Sequence, residues 1–324
     1  MSEDKDYLLS VVVPVYCEEK GIDPFLERMK TVLNQIGCRY EILFCLDPSP
    51  DSTYDVIKKH TEQNKNIRLL EFSRRFGQPA ATMAGILNCG GDICVVIDVD
   101  LQDPPEVICE MVGKWKEGYE VVYAQRTDRK GETFLKKLVA QIGYKVIHAM
   151  GEVEIPVNTG DFRLMSRRVI EELRRLNEHH GFLRGLVALV GYRQTAVRYS
   201  RDARVSGKGK YNRFTGSMKI GLNGLICFST KPLQLMSGIG FFAAGTGVLL
   251  GIWYFIQKVF LKYELTPGLS TTVILITLFG GLQLFCLGIL GEYIGRIYDE
   301  VKRRPLYIVD RTENMDRERQ IFQK

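Results

Sequence analysis

Three aspartates crowd into VVIDVDLQDPPE, residues 95–106: Asp98, Asp100 and Asp103, with Gln102 among them. They follow Val95, Val96 and Ile97, a β-branched apolar run of the kind that forms a buried strand in a parallel sheet. Carboxylates about 4 Å apart repel strongly where water is excluded, so the cluster calls for a cation. Asp98, Asp100 and the amide of Gln102 are hard oxygen donors, suited to Mg²⁺ or Mn²⁺. Asp103 stands directly before Pro104 and also has the sequence of a helix N-cap, a role Glu106 could share. That alternative leaves Asp98 and Asp100 unexplained.

The elements that must position this cluster alternate along the chain. Strand patterns fall at Leu8–Val15, Glu41–Leu46, Ile67–Phe72, Asp92–Ile97 and Glu120–Ala124. Helical patterns lie between them, among others at Asp23–Gln35, Ser52–Gln63 and Pro79–Asn88. Such alternation predicts βαβ units and a mostly parallel sheet covered on both faces. Ligands of these sheets bind at the carboxyl ends of the strands. VPVYCEE, LDPSPDST and the carboxylate cluster all stand at such ends and are expected to share one crevice.

Composition narrows the class. The 324 residues are 45% hydrophobic with a formal charge of +6, so the chain is neither disordered nor strongly basic. No Lys/Arg stripe interleaves with aromatics, and nothing points to nucleic acid. The start, MSEDKDYLLS, lacks the basic and apolar regions of a signal peptide. The eight cysteines form no CxxC pair and no histidines stand at ligand spacing, which suits reduced thiols in a cytoplasmic setting and not a zinc site.

The last third answers to a different solvent. No charge interrupts the chain between Lys231 and Lys258, or between Glu264 and Glu292. Each run is long enough to cross a bilayer, and charge-free runs of this length are rare in soluble cores, where two buried helices would be the other reading. Gly247 and Gly251, and Gly291 and Gly295, are spaced to let helices approach closely. A short connector makes the pair a hairpin. Arg213, Lys219 and Lys231 precede it, and Arg296, Lys302, Arg303 and Arg304 follow, which places both flanks and both termini in the cytoplasm. Lys258 and Lys262 weaken this asymmetry without reversing it. Just upstream, Phe214, Met218, Leu222, Leu225 and Ile226 fall near one helical face. They predict a helix lying on the membrane surface, although a soluble amphipathic helix has the same pattern.

Taken in order, SVVVPVYCEE, LDPSPDST, VVIDVDLQDPPE, NTGDFRLMSR, SRDARVSGKGKYN and two apolar runs resemble the membrane-anchored polyprenyl-phosphate glycosyltransferases of glycosyltransferase family 2. The resemblance implies a cytoplasmic GT-A domain, a nucleotide-diphospho-sugar transferase with a mostly parallel sheet, over residues 1–210. An interfacial amphipathic helix over 211–230, a two-helix transmembrane hairpin over 231–295 and a basic tail over 296–324 would follow. The implied reaction moves one sugar, with inversion, from a nucleotide sugar such as a UDP-sugar to polyprenyl phosphate at the inner membrane, and the implied assembly is a homotetramer. Carried over, Asp98, Asp100 and Gln102 match the positions that hold Mg²⁺ or Mn²⁺ on the donor diphosphate. Pro14, Tyr16, Glu18 and Asp47, with Asp98, match the nucleotide-sugar site, and Asp161 the aspartate beside the reacting sugar. Arg126 and Arg129 match basic positions near the acceptor phosphate. Arg204, Lys210 and Tyr211 match a loop that closes over both phosphates.

Plainer roles remain open for several of these. Arg126 and Arg129 could be solvated charges at a strand end. Arg201, Arg204, Lys208 and Lys210 could face anionic headgroups. Arg184 could cap a helix or reach the acceptor. The acceptor is already an anion, so no strong general base is required, and Asp161 is expected to orient more than to deprotonate. Two departures from the family pattern bear on specificity: Cys17 stands where Asn is usual, and Leu46-Asp47-Pro48 where Asp-Asp-Gly is usual. They leave room for a catalytically degenerate membrane scaffold or nucleotide-sugar sensor. A processive polysaccharide synthase would carry QxxRW, and neither Trp115 nor Trp253 stands in that motif.

Overall fold

A computed structural model of the chain describes residues 6–127, 159–176, 178, 183–200, 229–260 and 268–315. Its elements are β1 (Leu8–Val15), α1 (Ile22–Ile36), β2 (Arg39–Leu46), α2 (Thr53–Gln63), β3 (Ile67–Phe72), α3 (Gln78–Asn88), β4 (Ile93–Val96), α4 (Val107–Lys116), β5 (Val121–Arg126), β6 (Thr159–Ser166), α5 (Arg167–Arg175), α6 (Leu183–Val190), β7 (Gln194–Tyr199), α7 (Lys231–Val259), α8 (Leu269–Lys302) and β8 (Val309–Glu313).

The strands form one sheet in the order β7-β5-β6-β4-β1-β2-β3-β8. β1 pairs in parallel with β2 and β4, β2 with β3, and β5 with β7, while β6 and β8 run antiparallel to their neighbours. Alternation along β1 sends Val11 and Val13 to one face and Val12 to the other. Phe25 and Met29 of α1, Ile57 of α2 and Ile108 of α4 cover the first face. Ala84 and Ile86 of α3, Ile170 of α5 and Leu186 of α6 cover the second. A side chain at Gly85 would overlap Val12 and Cys45, so glycine there lets α3 lie directly on β1 and β2.

α7 and α8 contain two stretches long and apolar enough to cross a membrane, Lys231–Trp253 and Leu278–Lys302. Phe241, Phe242, Leu249 and Leu284 on them are exposed. The Tyr293 hydroxyl donates to the Ser229 carbonyl at 2.7 Å and joins the start of α7 to α8. Gly247, Gly251, Gly291 and Gly295 were expected to let helices approach closely; among the described residues nothing lies within 4 Å of a Cβ built on any of them.

The segment expected as a basic tail over 296–324 is built into the fold over its first part. α8 continues to Lys302 and ends at Arg303 in the left-handed region (φ 46°). The chain then returns to the sheet. Tyr307 is buried beside Phe72, its hydroxyl 2.8 Å from the Asn88 amide, and Ser73 N–H donates to Ile308 O at 2.9 Å. β8 pairs with β3, and the Asn314 amide donates to the carbonyls of Thr61 and Ile67. Truncating a buried aromatic leaves a cavity and an unpaired amide. Tyr307→Ala is expected to destabilise the full chain by about 3 kcal/mol, and Tyr307→Phe by about 1 kcal/mol, read by urea unfolding in detergent.

Candidate active site

The loops at the carboxyl ends of β1 and β2 are stitched together. Cys17 N–H donates to Ser49 Oγ (3.0 Å), Glu18 N–H to Thr53 Oγ1 (3.0 Å), and Ser52 N–H to Glu19 Oε2 (3.1 Å). Asp51 accepts from the Thr53 hydroxyl at 2.7 Å. LDPSPDST is thus the partner of VPVYCEE, which sets Pro14, Tyr16 and Glu18 at the crevice. The departures have local explanations. Leu46 is fully buried, where a carboxylate would lack water, and Pro48 does not occupy a left-handed turn position. The left-handed residue is Cys17, at φ 54°. Asn tolerates that region better than Cys, so Cys17→Asn is expected to stabilise by about 0.5–1 kcal/mol and raise the melting temperature by about 2 °C.

Asp47 is 2% exposed, and its two carboxylate oxygens accept the N–H groups of Phe76 and Gly77, both at 2.9 Å. Gly77 has φ 93°, which turns its N–H toward Asp47 and opens α3. Through this anchor the β3–α3 loop stands over the β1 end, and the Arg75 guanidinium lies 3.9 Å from the centroid of the Tyr16 ring. The residues of SRRFGQP carried no role in the sequence reading. Their position after a parallel strand was the available signal.

The carboxylate cluster follows β4. Gln78 at the start of α3 donates to Asp98 Oδ1 at 2.9 Å, a contact the sequence pattern did not reveal. Asp100 is 8% exposed and accepts Gln102 N–H at 3.2 Å. Between them Leu101 is held at φ 55° with its side chain in the core. A bulky residue in that region is strained, and burial of its side chain is what holds the loop in shape. Asp103 is not the helix cap. Its Oδ1 accepts the Tyr199 hydroxyl at 2.5 Å, and its Oδ2 lies 3.6 Å from Arg126 Nη2. Arg126 Nε donates to the same hydroxyl at 3.1 Å. Burial and the Asp103 charge push the Tyr199 phenol up to about 12. Glu106 stands at the N-cap of α4 but spends its side chain on a two-point ion pair with Arg28.

Asp161 belongs to β6, where Val96 pairs with Arg163. Two further steps of that register, past the end of β4, would put Asp161 level with Asp98. Arg184, on the first turn of α6, donates through Nε to Asp161 Oδ1 at 3.0 Å, a partner that neither the cap nor the acceptor reading named. Arg163 is 4% exposed, gives Nη2 to Gly160 O at 2.9 Å, and leaves its Nε without a hydrogen-bond partner. Burial pushes the Asp161 carboxyl up, but Arg184, Arg163 and Arg126 more than offset this and hold it below the usual range. Burial brings Arg163 down to about 10. Gln125, Arg126, Thr127 and Arg198 line a cleft of about 200 Å³ at the adjoining ends of β5 and β7. The crevice therefore joins Tyr16, Asp47, Asp98, Asp100, Arg126 and Asp161 along one edge of the sheet. Arg129, Arg204, Lys210 and Tyr211 lie outside the described residues, as does the surface helix expected over 211–230 except for its last two positions.

Comparison with known proteins shows the family. Residues 10–174 match the glycosyl transferase family 2 model, and residues 231–297 match the GtrB C-terminal hairpin. The chain is 46% identical over 310 residues to the uncharacterized glycosyltransferase YkcC of Bacillus subtilis, covering 96% of this chain and 95% of that one. It is 38% identical over 304 residues to the SfII prophage-derived bactoprenol glucosyl transferase of Shigella flexneri, covering 94% and 98%. A solved mannosyl-3-phosphoglycerate synthase from Rubrobacter xylanophilus is similar with a TM-score of 0.46 at 14% identity, over 81% of this chain and 78% of that one. With a family model over half its length and close relatives over nearly all of it, the chain belongs to glycosyltransferase family 2 and is a glycosyltransferase.

Proposed function

We propose that the protein transfers a single sugar, with inversion, from a UDP-sugar to polyprenyl phosphate at the cytoplasmic face of a membrane. One observation carries this reading: oxygen donors after β4 and an arginine-ringed carboxylate on β6 adjoin along one sheet edge. The first group suits a diphosphate leaving group and the second an anionic acceptor. The names of the bactoprenol glucosyl transferases support a lipid acceptor and glucose as the first sugar to test.

The donor set fits a divalent cation. Two carboxylates and an amide oxygen are hard ligands, and among the described residues no three His, Cys, Asp or Glu side chains close into a cage. Sites for Mg²⁺ use one or two carboxylates and leave positions for phosphate oxygens and water. Asp98, Asp100 and Gln102 would hold the ion, which when bound would spread the negative charge growing on the departing nucleoside diphosphate. Gln78 keeps Asp98 turned to this site. Tyr16 and Arg75 would flank the base of the donor nucleotide, while Asp47 fixes the loop that carries Arg75. Asp161 orients the sugar, and Arg126 draws in the acceptor phosphate.

β8 supports the topology. The strand made after α8 joins the sheet made before α7, so the hairpin returns the chain to its starting side. The positive flanks make that side cytoplasmic. The open glycine faces of α7 and α8 suit contacts with a second copy. The test is transfer by the purified protein in nanodiscs with Mg²⁺ or Mn²⁺, polyprenyl phosphate and a panel of UDP- and GDP-sugars. A lipid-linked monosaccharide from a UDP-sugar is expected. Product from GDP-sugars alone, or no lipid product from any donor, overturns the reading.

A further inference from the structure

Arg184 and Asp161 come from different elements, the first turn of α6 and the start of β6, and meet through one hydrogen bond of 3.0 Å. Their side chains are 26% and 35% exposed, so packing locks neither in place. Around the same carboxylate stand two more guanidinium groups. Arg163 is buried behind it with an unpartnered Nε. Arg126 reaches over Gly160, where its Nη2 lies 2.9 Å from the position a Cβ would take. Three cations thus share one carboxylate, Arg126 also being drawn to Asp103. An incoming phosphate offers more charge and a two-point match to a guanidinium than a single carboxylate oxygen does.

We propose that Arg184 changes partners during the reaction: it clamps Asp161 while only the donor is bound, and passes to the acceptor phosphate when the lipid arrives, freeing Asp161 to face the sugar. This rests on the reading that the acceptor is a lipid phosphate. In the transfer itself an acceptor phosphate oxygen forms the new bond to C1, and the bond from C1 to the diphosphate oxygen breaks. The electron pair leaves with the nucleoside diphosphate. The reaction to be avoided is the same displacement by water, in which a carboxylate takes the water proton as the oxygen attacks C1. An unclamped Asp161 beside the donor is placed to promote that loss. The clamp thus makes an enzyme that cuts its donor slowly until the proper acceptor is present.

The experiment measures two rates for wild type, Arg184→Gln and Arg184→Lys in nanodiscs. One is UDP release from UDP-glucose without lipid, and the other is transfer to polyprenyl phosphate. For Arg184→Gln, acceptor-independent UDP release is expected to rise at least about fivefold while kcat/KM for the lipid falls at least about tenfold. The KM for UDP-glucose should stay within about twofold, since uniform donor binding is untouched. Adding Asp161→Asn to Arg184→Gln should abolish the rise in UDP release. A residue that merely supports the fold would lower both rates together. Arg184→Lys keeps the charge and should fall between wild type and Arg184→Gln on both measures, which holds the test open if the glutamine variant folds poorly. Faster hydrolysis with unchanged lipid kinetics, slower transfer with unchanged hydrolysis, or no change in either overturns the exchange. Absence of transfer by wild type refutes the functional reading instead.

Discussion

Asp100→Asn is expected to lower sugar transfer at least about a hundredfold while leaving the fold intact, because a charge aimed at a developing anion's counterion is lost and little else changes. The asparagine oxygen can still accept Gln102 N–H, as Asp100 Oδ1 does at 3.2 Å, so the loop keeps its shape. Leu101 still anchors it in the core. What changes is the donor set: one hard anionic oxygen becomes a neutral amide, which binds Mg²⁺ or Mn²⁺ far more weakly. Two readouts separate this from a folding defect. Calorimetry should show UDP binding to wild type strengthened by Mn²⁺ and binding to Asp100→Asn indifferent to it. EDTA should abolish wild-type transfer, with recovery on adding either cation. Transfer that persists in EDTA would remove the ion from the scheme and leave the arginines as the only stabilisers.

The second large effect is at Asp161. Asp161→Asn should lower kcat at least about a hundredfold, since the neutral amide keeps the shape but loses the charge that orients the sugar and answers three guanidinium groups. Its pH behaviour follows from the arginines. The folded pKa lies below the unfolded value of about 3.9, so the carboxylate's contribution to stability is complete above that value and disappears as pH falls through the folded pKa. Asp161→Asn should therefore be destabilising at pH 7 and progressively less so as pH falls below about 3.9. For the same reason, wild-type activity between pH 5 and 8 should show no acid limb that the mutation removes. A limb with a midpoint near pH 6, absent in the variant, would mean that the carboxyl is protonated in the working enzyme and serves as an acid.

β1, rich in valine and buried on both faces, stands where the pattern put it, and so does the shorter, mostly apolar β3. β6 was readable only as a motif. Its centre carries Asp161 and Arg163, and a buried arginine inside a strand makes sense only once Arg184 and Gly160 stand beside it. β8, with three charged side chains in five residues, has an edge strand's composition and nothing that names its partner. The site divides in the same way. Asp98, Asp100 and Gln102 were visible because oxygen donors at a strand end have few other uses. Asp103 looked like a cap because Pro104 follows it, and the fold overruled that through Tyr199, 96 positions away. Gln78 and Arg75 act through loops whose meeting depends on the Asp47 anchor. Sequence spacing holds no record of such meetings.

β8 also fixes an order of events at the ribosome. The strand is translated after α7 and α8, yet it closes the edge of a sheet whose other strands are translated before them. Until then β3 has an unpaired edge, and Phe72 and Asn88 lack their cover from Tyr307. An open edge of this kind is a template for aggregation and a mark for chaperones and proteases. The sheet can be sealed only by a segment that emerges once α7 and α8 have been made. On the proposed topology, completion of the catalytic domain is a report on membrane insertion, and a chain whose hairpin is inserted the wrong way round keeps its edge bare.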